Sequence, residues 1–344
     1  MESTGNRRNR DLSRVRRSAA RTARRLVAAA RRVTLATLAV VCPLTAASCA
    51  SFMLNPDLAA MRRAPASNGE AWRAAETAPA SAIVTERRAR GKTVDRVREV
   101  TVVSPRVSAS LDGYRVAFVS DIHFMNRYSR ERLDALVDEI NAAKPDAVIL
   151  GGDFTLSGAD SREFAEAASA FRAGEGSYAT LGNHDFYNGK NRIVAALRSA
   201  GIVVLDGSAV ETPRGLAIAG VADLRDEMPN LTALADALPD SGFTILSCHN
   251  PDLAGNLDRE DIARFDLVLC GHTHGGQITL LGYAPVIPSE YGQRYRTGTI
   301  LERGVPVIVS NGAGYSGERY RFRFCAPSDF LLITLRRSAP TNSR

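Results

Sequence analysis

The second part of the chain alternates short apolar runs with stretches of helical periodicity. Within one helical stretch, apolar residues recur three and four apart at Leu133, Leu136, Val137 and Ile140. Further helices are predicted within 164–171, 190–200, 231–238 and 253–265. The apolar runs are typical of buried strands and occur at 97–103, 114–120, 147–150, 177–181, 202–205, 216–220, 243–248, 267–270 and 305–309. Strands that alternate with helices predict a layered α/β fold.

The positive charge of the chain is confined to its beginning. The formal net charge is +7, yet residues 1–32 hold eleven Arg and only two acidic side chains, which is +9. The remaining 312 residues therefore carry about −2, so the sequence argues against a nucleic-acid binder, which needs basic residues on the folded part.

An uncharged apolar segment, residues 33–54, directly follows the basic block. This order is typical of a signal sequence or a membrane anchor. Arg31-Arg32 in front of it resembles a twin-arginine export signal, and Ala46 to Cys49 resembles a lipoprotein cleavage box. A solvated basic tail is the alternative. We expect the protein at the cell membrane or outside the cytoplasm, with membrane association through the N-terminus.

The expected organisation follows from these composition changes. It comprises a basic region at 1–32, a signal or anchor segment at 33–54, an Ala/Pro-rich linker at 55–93, one α/β domain at 94–337 and a tail at 338–344. The five Cys are an odd number and include no C-x-x-C pair, which disfavours a disulfide framework and a structural zinc finger. Cys248 and Cys270 each end an apolar run, where a buried thiol packs well.

Polar clusters follow five of the apolar runs and contain all five His of the chain. Asp-x-His and His-x-His would place alternate side chains on one side of an extended backbone. The clusters are Asp121-Ile122-His123, Gly151-Gly152-Asp153, Gly182-Asn183-His184-Asp185, His249-Asn250-Pro251 and Gly271-His272-Thr273-His274-Gly275-Gly276. In α/β folds the site lies beyond the carboxyl ends of the strands, so we expect these clusters to meet.

The candidate ligands are imidazole, carboxylate and carboxamide groups without thiolate. Such a set suits Mn, Fe, Zn or Ni and disfavours Ca or an iron–sulfur cluster. Seven ligands are too many for one tetrahedral ion, and they predict two divalent ions that share a carboxylate.

These motifs, in this order and spacing, resemble the calcineurin-like metallophosphoesterases over about residues 97–335. The likeness is greatest to a bacterial subgroup with a membrane or twin-arginine leader. Further shared features are SCHNPD near residue 250, GHTHGGQI at 271–278 and a Gly-rich strand end at 311–314. The resemblance implies a four-layer α/β/β/α sandwich.

The resemblance also implies a role for each site residue. Asp153 would bridge the two ions, His184 would be the acid that acts on the leaving group, and Asp185 would orient His184. Asp121, His123 and His274 would bind the first ion, while Asn183, His249 and His272 would bind the second.

The expected function is a dinuclear-metal phosphoesterase. Two ions would neutralise the phosphate oxygens and supply a bridging hydroxide at neutral pH. We expect a phosphodiesterase that acts on a lipid-linked or membrane-associated ester. The alternatives are a phosphatase or nucleotidase on a soluble ester, and a non-catalytic metal-binding protein of the envelope.

Arginines are the candidates for substrate binding. Arg319, Arg321 and Arg323 alternate with Tyr320, Phe322 and Phe324, which on a strand gives a cationic face and an aromatic face. Arg319, Arg321 and Arg294 would contact a phosphate or headgroup; an edge strand with solvated Arg is the alternative. Within the Gly-rich stretch, Asn311-Gly-Ala-Gly replaces the Ser-Arg-Gly-x-Gly of the subgroup, and Cys325-Ala-Pro replaces its Arg-Pro-Glu. These departures concern the substrate expectation rather than the metal ligands.

Overall fold

The protein is represented by a computed structural model that describes residues 82–221, 223, 234, 237–239, 242–316 and 322–338. The basic region, the signal or anchor segment, nearly all of the linker and most of the helix predicted at 231–238 lie outside the described residues, as do Arg319 and Arg321. Within the described ranges, no helix combines the length and the apolarity that crossing a membrane requires.

The described strands form two sheets. The first has seven strands in the order β1-β2-β13-β3-β4-β5-β6, namely β1 Ile83–Ala89, β2 Arg96–Ser104, β3 Arg115–Val119, β4 Ala147–Leu150, β5 Ser177–Ala179, β6 Val203–Val204 and β13 Asp329–Arg337. The second has six in the order β11-β12-β10-β9-β8-β7, namely β7 Ser208–Glu211, β8 Leu216–Val221, β9 Phe243–Cys248, β10 Leu267–Cys270, β11 Gly298–Glu302 and β12 Val305–Val309.

The described helices are α1 Arg130–Ala142, α2 Ser161–Ala168, α3 Asn183–Tyr187, α4 Lys190–Ser199, α5 Asp252–Asn256 and α6 Arg259–Ile262. Single 3₁₀ turns occur at Gly158–Asp160, His274–Gly276 and Gly292–Tyr295. Helix α1 shows why the pattern folds this way: Ser129 accepts a hydrogen bond from the Arg132 amide at its start, and its four periodic apolar residues are all buried.

Three apolar cores separate four layers. Between the sheets, Phe118 and Ile149 of the first sheet share a core with Ile245 and Leu269 of the second. On the outer face of the first sheet lie α1, α2 and α4, and on the outer face of the second lie α5 and α6. The α/β fold class with two sheets and flanking helices is confirmed.

Strands that are buried on both faces were predicted best. The strands at 147–150, 243–248, 267–270 and 305–309 have the predicted bounds. The linker boundary at residue 93 is wrong, because β1 already pairs along its whole length with β2. Strand β1 was missed because it is an edge strand whose exposed positions interrupt any apolar run. The stretch 253–265 holds two helices, since Asp258 caps the second through the Glu260 and Asp261 amides.

The last described strand, β13, lies inside the first sheet rather than at its edge. It runs parallel to β2 and antiparallel to β3. Its first residue, Asp329, accepts hydrogen bonds from the Ser310 hydroxyl at 2.6 Å and the Asn311 amide at 2.9 Å. Strand β13 therefore supports the loop that follows β12.

Parallel pairing aligns the strand ends that carry the polar clusters. Val119 of β3 pairs with Leu150 of β4, which pairs with Ala179 of β5. In the second sheet Ser247 of β9 pairs with Leu269 of β10. The segments that follow these strands are consequently brought to one edge of the two sheets.

Candidate metal centre

The first group of donors combines two carboxylates and two imidazoles, all buried. The donor atoms of Asp121, His123, Asp153 and His274 lie within 4.8 Å of one another. The Nε2 atoms of His123 and His274 are 3.2 Å apart, and His274 Nε2 lies 3.3 Å from Asp121 Oδ1. Imidazole nitrogens that converge on carboxylate oxygens in this way form a pocket for a cation.

The second group includes a residue that the sequence analysis missed. Asp223 shares a buried group with His249 and His272, with donor atoms again within 4.8 Å of one another. Asp223 comes two residues after β8, whose apolar run was predicted, so the strand-end rule that found the other clusters could have found it. The structure therefore adds a carboxylate to the expected ligand set.

Asp153 lies between the two groups. Its Oδ2 is 3.5 Å from His123 Nε2 and 3.2 Å from His249 Nε2. Its Oδ1 accepts a hydrogen bond from the His184 amide at 2.8 Å. One carboxylate oxygen thus faces imidazoles of both groups, which is the position a shared ligand requires.

The backbone at the candidate ligands differs from the expected extended chain. Five of the seven predicted ligands have left-handed φ angles, namely Asp121 at 53°, His123 at 46°, Asp153 at 56°, His272 at 70° and His274 at 51°. Such a conformation costs a non-glycine residue about 1–2 kcal/mol. The expectation of extended Asp-x-His and His-x-His motifs is therefore wrong, and the side chains converge through strained turns instead.

Two glycines allow the loops to approach one another closely. A Cβ at Gly182 would collide with Asp153 Oδ1, and a Cβ at Gly271 would collide with Asp121 Oδ2. A larger residue at either position would displace a carboxylate of the centre.

Burial and charge set the protonation of the donors. Burial raises the pKa of Asp121 to about 6 and lowers that of His123 to about 4. Burial also acts to lower the pKa of His249, but the Asp153 and Asp121 carboxylates outweigh it and hold that pKa well above its usual value. In the metal-free protein, a proton on His249 therefore supplies part of the positive charge that a cation would bring.

Hydrogen bonds from outside the centre hold the His249 imidazole and the backbone of His274. His249 Nδ1 lies 2.7 Å from the Gly151 carbonyl, which directs Nε2 toward Asp153. Arg323 Nη1 donates to the His274 carbonyl at 2.9 Å. Burial, His123 and the Arg323 guanidinium hold the pKa of His274 well below its usual value, so its imidazole is neutral.

Arg323 departs from the cationic face that the alternating sequence predicted. Its guanidinium points inward and donates to the carbonyls of His274, Asn311, Gly312, Gly314 and Ala326. Only Phe324 of the described residues 322–324 forms a bridge, to Ile278, so that part of the expected strand is wrong. Arg323 instead ties the loop after β12 to the loop that carries His274.

His184 lies beside the first donor group. Its ring contacts the His123 ring edge-on, with the centroids 4.9 Å apart, and it is less buried than the candidate ligands. Helix α3 carries it, and the hydrogen bond from its amide to Asp153 fixes the start of that helix.

Asp185 occupies a different place from the one expected. Its carboxylate accepts three backbone hydrogen bonds, from the Asp153 and Gly182 amides at 2.8 Å and from Phe154 at 2.9 Å. The expected role of orienting the His184 ring is therefore wrong, and Asp185 instead joins the Asp153 and Asn183 loops. Burial, with the nearby Asp153 charge, raises its pKa to about 7.

Arg294, the one substrate candidate that the structure describes, forms an ion pair with Glu302 at 2.6 Å. Its guanidinium also lies 5.7 Å from the Tyr295 ring. These contacts give Arg294 a role at the surface of the second sheet, and its role as a substrate ligand stays a prediction.

The geometry can be compared with known proteins. The family model for calcineurin-like phosphoesterases matches residues 114–276. The chain is 30% identical over 253 residues to the uncharacterised metallophosphoesterase YkuE of Bacillus subtilis, a match that covers 69% of this chain and 84% of the relative. It is 33% identical over 195 residues to the phosphodiesterase YaeI of Escherichia coli, covering 52% of this chain and 68% of that protein.

Among solved structures, a 5'-nucleotidase precursor from Thermus thermophilus is matched with a TM-score of 0.39 and 15% identity. That match covers 64% of this chain and 54% of the other. The sequence relatives decide the classification: the chain belongs to the calcineurin-like metallophosphoesterase family.

The donor set fits the divalent ions that this family binds. Imidazole and carboxylate donors converge without any thiolate among the described candidate ligands. Asn183 Oδ1 is buried, and no described residue donates a hydrogen bond to it, so a cation would satisfy it.

Proposed function

We propose that the protein is a phosphodiesterase that uses two divalent ions to hydrolyse a lipid-linked or membrane-associated phosphate ester. The observation that carries the proposal is the position of Asp153, whose Oδ2 faces His123 of one donor group and His249 of the other. The similarity to the phosphodiesterase YaeI supports diester hydrolysis. The uncharged segment at residues 33–54 behind a basic block supports a membrane location.

The proposed holders of the first ion are Asp121, His123 and His274, with Asp153 shared. The second would be held by Asn183, His249 and His272, with the Asp223 carboxylate close by. When bound, the two ions would neutralise the phosphate oxygens and activate water as the nucleophile.

The residues around the ions would perform the remaining chemistry. His184 lies beside His123 at the less buried side of the centre, where it can donate a proton to the leaving oxygen. Asp185 would hold Asp153 and the start of α3 in fixed positions relative to each other through its three backbone hydrogen bonds. Arg323 would hold the loop of His274 in place through its bonds to backbone carbonyls.

Hydrolysis assays test the reaction. The full chain loaded with Mn²⁺ should release p-nitrophenol from bis-p-nitrophenyl phosphate faster than from p-nitrophenyl phosphate. Asp153→Asn should lower the rate more than about 100-fold, because even outer partners of metal ligands contribute about 10–100-fold. Asp112→Asn, at an exposed position, is the matched control.

Two results would contradict the reaction. One is release that is equal in wild type and Asp153→Asn. The other is a preference for the monoester, which would favour the soluble-ester phosphatase. A panel of phosphodiesters carried in vesicles then tests the lipid substrate class, since activity confined to soluble esters would exclude it.

Cell fractionation tests the location. Arg31-Arg32 replaced by Lys-Lys should retain the protein in the cytoplasm if the twin-arginine prediction is right. An unchanged distribution between the fractions would contradict that export route.

A further inference from the structure

A hairpin directly after the GHTHGGQI motif exposes an apolar tip, which we define as Leu280, Leu281, Tyr283 and Val286. The exposed fractions of these four side chains are 65%, 99%, 60% and 59%. Isolated exposed apolar residues are ordinary, but four within seven residues form a patch.

The turn itself makes the choice of Leu281 unusual. Leu280 and Tyr283 exchange two backbone hydrogen bonds of 2.8 and 2.9 Å around a two-residue turn. Leu281 and Gly282 both have left-handed φ angles, of 50° and 82°. Such turns favour Asn-Gly or Asp-Gly, because those residues tolerate this backbone and are well hydrated. The chain places a fully exposed leucine where both sterics and hydration favour a polar residue.

The hairpin is mounted firmly beside the metal centre. The Thr279 amide donates to the Phe324 carbonyl at 2.8 Å, and the Phe324 amide donates to Gln277 at 2.9 Å. Ala284 packs against Gly276, where a Cβ would collide with it. The apolar tip is therefore held at a fixed distance from His274, which lies two residues before Gly276.

The surroundings of the apolar tip match a lipid surface. Residues 275–289 contain no charged side chain, so their transfer out of water buries no charge. The tip is a protrusion rather than a groove, and a deformable bilayer accommodates a protruding leucine without a preformed pocket. Tyr283 adds a ring of the kind that is enriched at membrane interfaces.

The chain outside the described residues supplies a means of reaching that surface. The uncharged segment ends at residue 54, and 27 residues separate it from residue 82. Fully extended, 27 residues span at most about 97 Å, which is ample length for a membrane-bound segment to remain joined to a domain at the same surface.

We propose that the apolar tip inserts into the headgroup region of a lipid bilayer and places the metal centre at the membrane surface. The inference rests on the membrane location in the proposed function and adds a second contact, independent of the N-terminus. Phe324, which is 49% exposed and bonded to the hairpin, would lie at the edge of this contact.

Depth-dependent fluorescence quenching tests the proposal on the full chain. Trp72 is the only Trp, so Trp72→Phe combined with Leu281→Trp leaves one probe at the tip. Phosphatidylcholine and phosphatidylglycerol vesicles with brominated acyl chains should quench this probe severalfold. The matched control combines Trp72→Phe with Val203→Trp, a 45% exposed position on edge strand β6, and should be quenched little. Val286→Trp is a second probe of the tip if the first variant folds poorly.

The outcomes separate this inference from the proposed function. Equal quenching at residues 281 and 203, or none at either tip position in vesicle-bound protein, would overturn the inference. A blue shift of the tip probe without vesicles that grows with protein concentration would assign the tip to self-association and would also overturn it. Quenching without hydrolysis of any vesicle-borne diester would contradict the substrate class alone, whereas hydrolysis without quenching would contradict insertion alone.

Discussion

Two neighbouring segments, 271–276 and 279–286, both contain left-handed residues, but the first is buried and the second is exposed to solvent. The first holds His272 and His274 at left-handed φ angles within the buried centre. The second holds Leu281 at a left-handed φ angle with its side chain in solvent. Around His274, contacts with Arg323, Asp121 and His123 offset the strain, whereas nothing in the described chain covers Leu281. The strain at His274 is thus part of a site inside the fold, whereas no described contact offsets the strain at Leu281.

The largest expected effect is in the buried segment. His274→Ala should remove a donor of the first group, reduce the bound Mn²⁺ from two ions to one and lower diesterase activity by more than about 100-fold. Metal analysis after gel filtration measures the number of bound ions, and the bis-p-nitrophenyl phosphate assay measures the activity. Two ions retained at full affinity would show that His274 is strained for some other reason.

A smaller effect is expected when the contacts that support segment 271–276 are removed. Arg323→Gln should weaken Mn²⁺ binding by about 10–100-fold, as is typical for partners that orient a metal ligand. Isothermal titration calorimetry measures the affinity. Arg303→Gln, an arginine whose side chain pairs with Glu302 at the surface, is the control and should bind normally. Unchanged affinity in Arg323→Gln would mean that the strained loop needs no such support.

The pH dependence should come next in size. At neutral pH, the second ion displaces the proton of His249, whose pKa is raised, so affinity should fall about tenfold for each unit by which pH decreases. Below about pH 6, Asp121 is also protonated, so the affinity for the first ion should fall about tenfold per unit as well. His123 adds nothing until about pH 4. Titrations at pH 5, 6 and 7 measure both affinities, and a first-ion affinity that is equal at pH 6 and pH 5 would contradict the role of Asp121.

The smallest effect concerns the exposed segment. Leu281→Asn should stabilise the fold by about 1 kcal/mol, because Asn tolerates the left-handed turn and removes an exposed apolar group. Urea unfolding of the metal-free protein measures the change. Leu301→Asn, at an exposed position of β11, is a control without a left-handed backbone, and it should give no gain. Destabilisation by Leu281→Asn would show that the leucine contributes to the fold itself.

Much of the architecture could be predicted because buried parallel strands leave continuous apolar runs. The run Ala147–Leu150 and the polar residues that follow it placed both a strand and Asp153 at the correct edge. The same rule applied to β8 would have included Asp223. Edge strand β1 left no such run, since its exposed charged residues hide the alternation.

The contacts between side chains and loops within the site were harder to predict from the sequence. The left-handed angles of Asp121 and His123 follow from close approach between loops, which residue spacing does not reveal. Asp185 was assigned to His184 from the family resemblance, but its partners are backbone amides that any sequence would provide. Arg323 looked like part of an alternating strand, whereas carbonyls of two distant loops draw its guanidinium inward.

The interior position of β13 has a consequence for biosynthesis. Strands β2 and β3 are made before the strand that joins them, which comes from residues 329–337. The first sheet can therefore be completed only after residues 329–337 have left the ribosome. Until then β2 and β3 present unpaired edges, so the growing chain needs protection from aggregation until β13 arrives.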